Sequence, residues 1–266
     1  MAFDKIVDST ALDTALTDIA DAIRTKTGKT DPLTIEQMPS EIEGIQKGDA
    51  GLEALVSTFQ YSSSAGKAEF VASLPLATSL AQAFMNFGSG NKLKKIDITV
   101  TNKLKDMTQF ALYNYSVNEI VLRGDLSAVT SYSDAFGAAV ANYSINAIKG
   151  LDFTSATKAV GIFANRKSLK TLEIEANTVN ISLPIPNSPL NADSCINVLN
   201  SLKDRTGQGA LTLTLEPTLT NAETGTINVN YVKLDADTGL YVLCEQTDEG
   251  AMTIADAITA KNWTIA

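Results

Sequence analysis

The residues able to do chemistry are few in kind. The chain contains no histidine, which removes the usual general base at neutral pH, the commonest metal ligand and every Ser-His-Asp or Cys-His arrangement. Its two cysteines, Cys195 and Cys244, form no CxxC pair and sit among apolar residues; they read as ordinary buried side chains rather than a disulfide framework. The GKT at 28–30 ends like a phosphate-binding loop, but the first glycine of that motif would fall on Ile23, and a helix precedes it. Asp235, Asp237 and Gly239 are spaced like the start of a calcium loop, yet Gln246 stands where the bidentate glutamate belongs; a hairpin turn is the reading. Arg123-Gly124-Asp125 spells an adhesion tripeptide that falls inside a strand or its exit. Carboxylates are plentiful, but none is paired in an apolar setting as an acid-pair glycosidase requires. We therefore expect no enzyme, no catalytic residue, no metal and no cofactor.

Two sets of side chains remain for binding. Asp97, Asp152 and Glu173 take outward positions on predicted strands, flanked by Lys94, Lys149 and Lys170, and stacked-repeat proteins often bind through such a face. The same pattern also suits a solvated face with neutralising charges. Tyr113, Tyr115, Tyr132 and Tyr143 lie in the inter-strand turns, where exposed aromatic planes suit sugar rings. Core or turn packing is the plainer reading of the same residues.

The elements that must position these residues recur. Phe84, Phe110, Phe136 and Phe163 stand 26, 26 and 27 residues apart, and NYSVNEI at 114–120 returns as NYSINAI at 142–148. Apolar alternations follow each phenylalanine: Leu93/Ile96/Ile98, Val117/Ile120/Leu122, Ile148/Leu151/Phe153 and Leu169/Leu172/Ile174. An L-x-x-L-x-L element at such a period marks a leucine-rich-type repeat, in which each unit supplies a short strand and a wedge that only a neighbour can bury. Register is open in the second and third units, because the NYS alignment implies a one-residue deletion. Phe59 belongs either to an irregular first unit or to a cap.

Residues 1–48 read as short helices. Leu12, Leu16, Ile19 and Ile23 make one stripe, with Thr10 capping and Gly28 ending it; Ile35, Met38, Ile42 and Ile45 make a second, with a Thr34/Gln37 capping box and Pro39 starting or kinking a helix. This part is either a hairpin packed on itself or an oligomerising or docking module. After the repeats, 191–207 predicts a helix capped by Asn191 and stopped at Gly207, with Ile196, Leu199 and Leu202 on one face. ALTLTLEP predicts a strand ended by Pro217, 227–245 a hairpin, and 252–266 a short helix packing Ile254, Ile258 and Trp263 inward. This end would cover the last open edge of the repeat sheet. The expected fold class is α/β: a leucine-rich-repeat-like solenoid over 49–217, a helical module over 1–48 and a small α+β cap over 218–266.

With 44% apolar and 19% charged residues, the chain can bury a substantial core. Its net charge of −9, from 21 basic and 30 acidic residues, argues against nucleic acid. No apolar run reaches the ~18 residues of a membrane span, and the start, MAFDKIVDST, has no signal-peptide core; we expect a soluble chain made in the cytoplasm and no membrane insertion.

Ala83-Phe84-x-Asn86 with LKKIDI, and Phe163-Ala164-Asn165 with SLKTLEI, resemble the BspA-like leucine-rich repeats of bacterial and phage surface proteins. The opening ALTDIADAIRTKTGKTDPLTIEQMPSEIEGI resembles a helical segment of tail and baseplate-region proteins of phages infecting Gram-positive bacteria. SCINVLNSLKDRTGQGALTLTL and IADAITAKNWTIA are similar to the end segments of those repeat proteins. The resemblance implies a tail-tip, baseplate or fibre protein of the virion, made in the host bacterial cytoplasm. Its partners would be other virion tail proteins and a host cell-surface carbohydrate or protein, and it would be a homo-oligomer, with a trimer favoured. The alternative is a bacterial cell-surface adhesin with the same repeats. Two departures stand out: residues 221–247 have no counterpart in the pattern, and Phe110-Ala111-Leu112 and Phe136-Gly137-Ala138 replace the Phe-x-Asn step.

Overall fold

The apolar alternations become strands stacked side by side. The structure, a computed structural model, describes residues 9–27, 30–34, 36–38, 68–86, 92–137, 144–185, 188–215, 219–220, 227–228 and 231–266. Ile35, Ile42, Ile45, Gly28, Pro39, Phe59 and Pro217, which carried expectations, lie outside these. The chain divides into two units, Met1–Gly51 and Leu52–Ala266.

In the first unit, α1 runs Ser9–Thr27, so the expected cap Thr10 lies inside the helix. Ala20 and Ile23 are buried against Met38 and Leu33, whereas Ile19 is 48% exposed. Half of the capping-box geometry is present: the Thr34 N–H donates to Gln37 Oε1 at 2.9 Å.

The second unit contains a β-solenoid of about five turns. Strands β1 (Glu69–Ser73), β2 (Lys95–Val100), β3 (Glu119–Gly124), β4 (Ala147–Leu151) and β5 (Thr171–Ile174) form one parallel sheet in chain order. Phe70, Ile96, Ile120, Ile148 and Leu172 pair in register across it, all buried. That ladder resets the third unit. Ile148 sits opposite Ile120, so the element is Ile145-x-x-Ile148, not Ile148-x-x-Leu151, and the extra residue is absorbed by an irregularity between Ile148 and Leu151.

No helix forms within the described parts of these turns. Each chain instead passes through tight turns whose N–H groups bond the next turn's carbonyls, as in Phe84 N–H to Phe110 O (2.8 Å), Ala111 to Ala135 (2.7 Å) and Phe136 to Ile162 (3.0 Å). This places the phenylalanines in one buried spine, with neighbouring ring centroids 5.0 to 6.1 Å apart from Phe70 through Phe84, Phe110 and Phe136 to Phe163. Corners recur too: Asp125 and Asp152 each accept the N–H two residues on, from Ser127 and Thr154, the local bond that favours aspartate in turns. Gly124 and Gly150, at φ +86° and +81°, end β3 and interrupt β4 where a Cβ would collide with the Val100 and Leu122 carbonyl oxygens.

Beyond β5 the stack changes character. Strand β6 (Leu183–Pro184) precedes α2 (Ala192–Ser201), whose N-cap Asn191 accepts from Ser194 N–H as expected. The Asn191 N–H bonds Lys170 O, in the series that runs Asn118 to Lys94, Asn146 to Asn118 and Lys170 to Asn146. The helix thus begins where a sixth strand would. Its Ser194 and Asn197 side chains accept the Leu172 and Ile174 N–H groups on the edge of β5. The helix ends at Ser201, well before the expected stop at Gly207, and buries Cys195, Val198 and Leu199. Then follow β7 (Leu211–Thr214), the short antiparallel pair β8 (Leu219–Thr220) and β9 (Ile227–Asn228), the hairpin β10 (Tyr231–Leu234) and β11 (Tyr241–Cys244), β12 (Met252–Thr253), α3 (Ile254–Ala260) and β13 (Trp263–Ile265). Strands β13, β7 and β6 form a second parallel sheet. One apolar cluster runs from Phe70 to Trp263.

Candidate functional site

The outward face of the five-stranded sheet carries charge in a ladder. Strand alternation turns Lys95, Asp97, Glu119, Arg123, Lys149 and Glu173 away from the apolar ladder beneath. Arg123 holds Asp97 with two bonds, Nε to Oδ1 at 2.7 Å and Nη2 to Oδ2 at 3.0 Å. Lys95 lies 3.5 Å from Asp97 and 3.9 Å from Glu119; Lys149 lies 3.3 Å from Glu119 and 3.9 Å from Glu173. Three cations and three anions thus alternate across four strands, and the ladder is neutral. Its hydrogen bonds from Arg123 hold the Asp97 carboxyl below the usual carboxylate range and raise the Arg123 guanidinium in turn.

Of the expected acidic residues, Asp97 and Glu173 join this face. Asp152 does not: it leaves β4 at the corner, accepting the Thr154 N–H at 2.7 Å, because the frame of the third unit is shifted. Lys149 takes the outward position there, opposite Val121. Lys95, Glu119 and Arg123 were missed. The signal was available as Asp97 and Arg123, 26 residues apart on adjacent strands.

The tyrosines separate. Tyr132, expected on a turn surface, is fully buried; its hydroxyl donates to Asp152 O at 2.7 Å, its ring lies 4.8 Å from Phe153, and burial pushes its ionisation up. It offers no plane to a ligand. Tyr113 is half-buried at φ +56°, the column that Asn86 (φ +62°) and Asn165 (φ +59°) hold in other turns. Tyr115 is 40% exposed beside the buried Asn114, which donates to Phe84 O and accepts from Ser116 and Val117 N–H. Tyr143 lies outside the described residues.

The other motifs find local roles. Arg123 and Asp125 of the tripeptide are bound to Asp97 and to Ser127 respectively. Asp235 accepts from Asp237 N–H, Thr238 N–H and Thr238 Oγ1, closing the β10–β11 turn. Burial pushes the Cys195 thiol up to about 12. Among the described residues no group of three or more His, Cys, Asp or Glu side chains is placed to hold a metal, and no helix is long and apolar enough to cross a membrane.

Fold and site together define a β-solenoid with a cross-linked charged face. No protein-family model, curated protein or solved structure matches the chain.

Proposed function

We propose that this chain is a non-enzymatic component of a phage virion, at the tail tip, baseplate or fibre. Its solenoid would be of the leucine-rich type, the C-terminal stretch a cap, and residues 1–48 an attachment module in a homo-oligomer, with a trimer favoured. The stacked, parallel turns support this reading most, because stacked repeats build an extended surface of the kind such proteins bind through. The resemblance of both chain ends to tail proteins supports the virion setting. The ligand we infer is a host cell-surface carbohydrate or protein. Contact would centre on the Lys95–Glu173 ladder and Tyr115, where paired charges can exchange partners at little cost.

Purified protein should be a stable oligomer that decorates host cell walls, and antibodies against it should label one position on intact virions. A monomer that leaves cells and virions unlabelled refutes the reading.

A further inference from the structure

The carboxylates of the stacked turns are unevenly placed. Nine lie between Glu69 and Glu175, all of them on the strands or in the turns that follow them. The stretches that lead into β2, β3, β4 and β5, residues 84–94, 107–118, 135–146 and 159–170, contain none, yet carry five cations. Stacking gathers described parts of these stretches at one rim, where the strands begin. Asn118 N–H bonds Lys94 O at 2.7 Å, Asn146 N–H bonds Asn118 O at 2.8 Å and Lys170 N–H bonds Asn146 O at 2.9 Å. Lys94, Asn118, Asn146 and Lys170 thus form one exposed column. At about 4.8 Å for each strand, its two lysines start roughly 14 Å apart. Ser144 Oγ donates to Val117 O and Ser168 Oγ to Ile145 O, so Ser116, Ser144 and Ser168 share one position in the turn. Tyr115 and Lys167 each precede a serine of that series, and both are exposed. The ion pairs of the sheet use Lys95, Lys149 and Arg123; among the described residues Lys94, Lys167 and Lys170 enter none. Lys94 Nζ donates to Ser116 O at 3.2 Å, which takes one of its three donors.

A cationic rim on a chain of net charge −9 draws anions that the rest of the surface repels. We propose that this rim, Lys94, Lys167 and Lys170 with Asn118, Asn146 and Tyr115, binds an anionic, hydroxyl-rich polymer whose phosphate or carboxylate groups are widely spaced. The lysines take the anionic groups, the two amides take hydroxyls between them, and the Tyr115 ring takes a sugar or polyol face. Nucleic acid fits less well. Duplex DNA carries a charge about every 1.7 Å, denser than three lysines answer, and its phosphates would also meet Glu119 and Glu173 beside the rim. The source of the polymer, a host cell surface, rests on the function proposed above; the charge of the rim does not.

The test measures binding of the full chain to poly(glycerol phosphate), polygalacturonate, neutral dextran and a single-stranded oligonucleotide. At least one of the two anionic polymers should bind and dextran should not; which of the two binds more tightly separates phosphate from carboxylate. Lys94→Gln, Lys167→Gln and Lys170→Gln together should weaken that binding roughly tenfold, as three exposed ion pairs allow, while arginine at the same three positions should retain it. A second triple variant, Lys103→Gln, Lys105→Gln and Lys158→Gln, removes as much charge from exposed lysines in the turns after the strands and should bind like the unaltered chain. An equal loss in that variant would overturn the rim as a site and leave net charge as the cause. Failure to bind either anionic polymer, equal binding of dextran, or tighter binding of the oligonucleotide would each overturn the proposed ligand. Host cells separate this inference from the reading beneath it. If the unaltered chain and the rim variant decorate cell walls equally, only the rim inference fails. If the unaltered chain leaves cells unlabelled while rim-dependent polymer binding holds, the host-surface reading fails and the rim stands.

Discussion

The five stacked turns and the stretch from α2 to β13 share one apolar cluster, yet each holds its chain by different means. In the turns, like mostly meets like: phenylalanine on phenylalanine, aliphatic on aliphatic, main chain on main chain, with the buried Asn114 and Arg166 side chains adding bonds to the carbonyls of Phe84, Phe136 and Gly137. Past β5, main-chain pairing continues in β6, β7 and β13, but side chains take over part of what main chain did before. Ser194 and Asn197 take the edge of β5, Asn200 pairs with both main-chain groups of Tyr241, and Lys261, Asn262 and Trp263 take the carbonyls after α2. A repeat solves the packing problem once and copies the answer. An end cannot copy, because the next turn is missing, so each exposed group needs its own partner.

The sharpest way to break this comparison is inside the spine. Phe136 lies between Phe110 and Phe163 and is fully buried. Phe136→Ala should cost about 3–5 kcal/mol, read as a fall in the denaturant midpoint. If the turns were held mainly by their main-chain bonds, the loss would be far smaller.

Next come the glycines, which take positive φ in both regions for different reasons. Gly150→Ala meets strain and a collision with the Leu122 carbonyl from the adjacent turn, whereas Gly239, at φ +69° in the β10–β11 turn, has open space around it. We expect about 3 kcal/mol or more for the first and about 1–2 kcal/mol for the second, the strain alone. Equal losses in thermal unfolding would show that stacking does not press on Gly150.

Lys261 distinguishes the end from the turns by pH. Burial lowers its ammonium to about 8 despite Asp204 nearby, while the amine lies 5.7 Å over the Tyr241 ring. The folded state therefore holds fewer protons than the unfolded state between about 8 and the ordinary value of 10.5. Stability from this group should rise as pH climbs through that window. Lys261→Met should flatten the rise and, by leaving two carbonyls without this donor, cost about 1–3 kcal/mol. Urea titrations at several pH values measure both.

How far the sequence reveals each region follows from the same contrast. The phenylalanine period marks the turns because every turn must fill the same slot, and the alternation of Ile96 and Ile98 marks a strand for the same reason. Length per turn is less legible. Paired core positions fall 26, 24, 28 and 24 residues apart along Phe70, Ile96, Ile120, Ile148 and Leu172. Turns can therefore bulge while the rings still meet. That slack misplaced the third strand, and with it Asp152. Tyr132 misled for another reason: a tyrosine in a turn is apolar enough to be buried once its hydroxyl finds a carbonyl. At the end, Asn191 was legible as a local cap, and Ile254, Ile258 and Trp263 as an inward face. The long-range pairing of Asn200 with Tyr241 has no sequence period to announce it.

The smallest effects concern the candidate face. Arg123 is largely exposed and Asp97 nearly buried, so Arg123→Ala should lower stability only slightly, within the range of exposed ion pairs. What the pair contributes is present above the ordinary aspartate value of 3.8 and fades as pH falls below it, since pairing lowers the folded-state value. Tyr113→Asn should move stability the other way. Asparagine already holds this left-handed column at Asn86 and Asn165 and tolerates it better than a bulky side chain does. The gain should be about 0.5–1 kcal/mol, visible as a small rise in Tm. If Tyr113→Asn instead destabilises the chain, the half-buried ring contributes more to packing than its backbone loses to strain. If it stabilises the chain and weakens the binding to cell walls proposed above, Tyr113 serves contact rather than folding, which would move the candidate face from the charged ladder towards the turns.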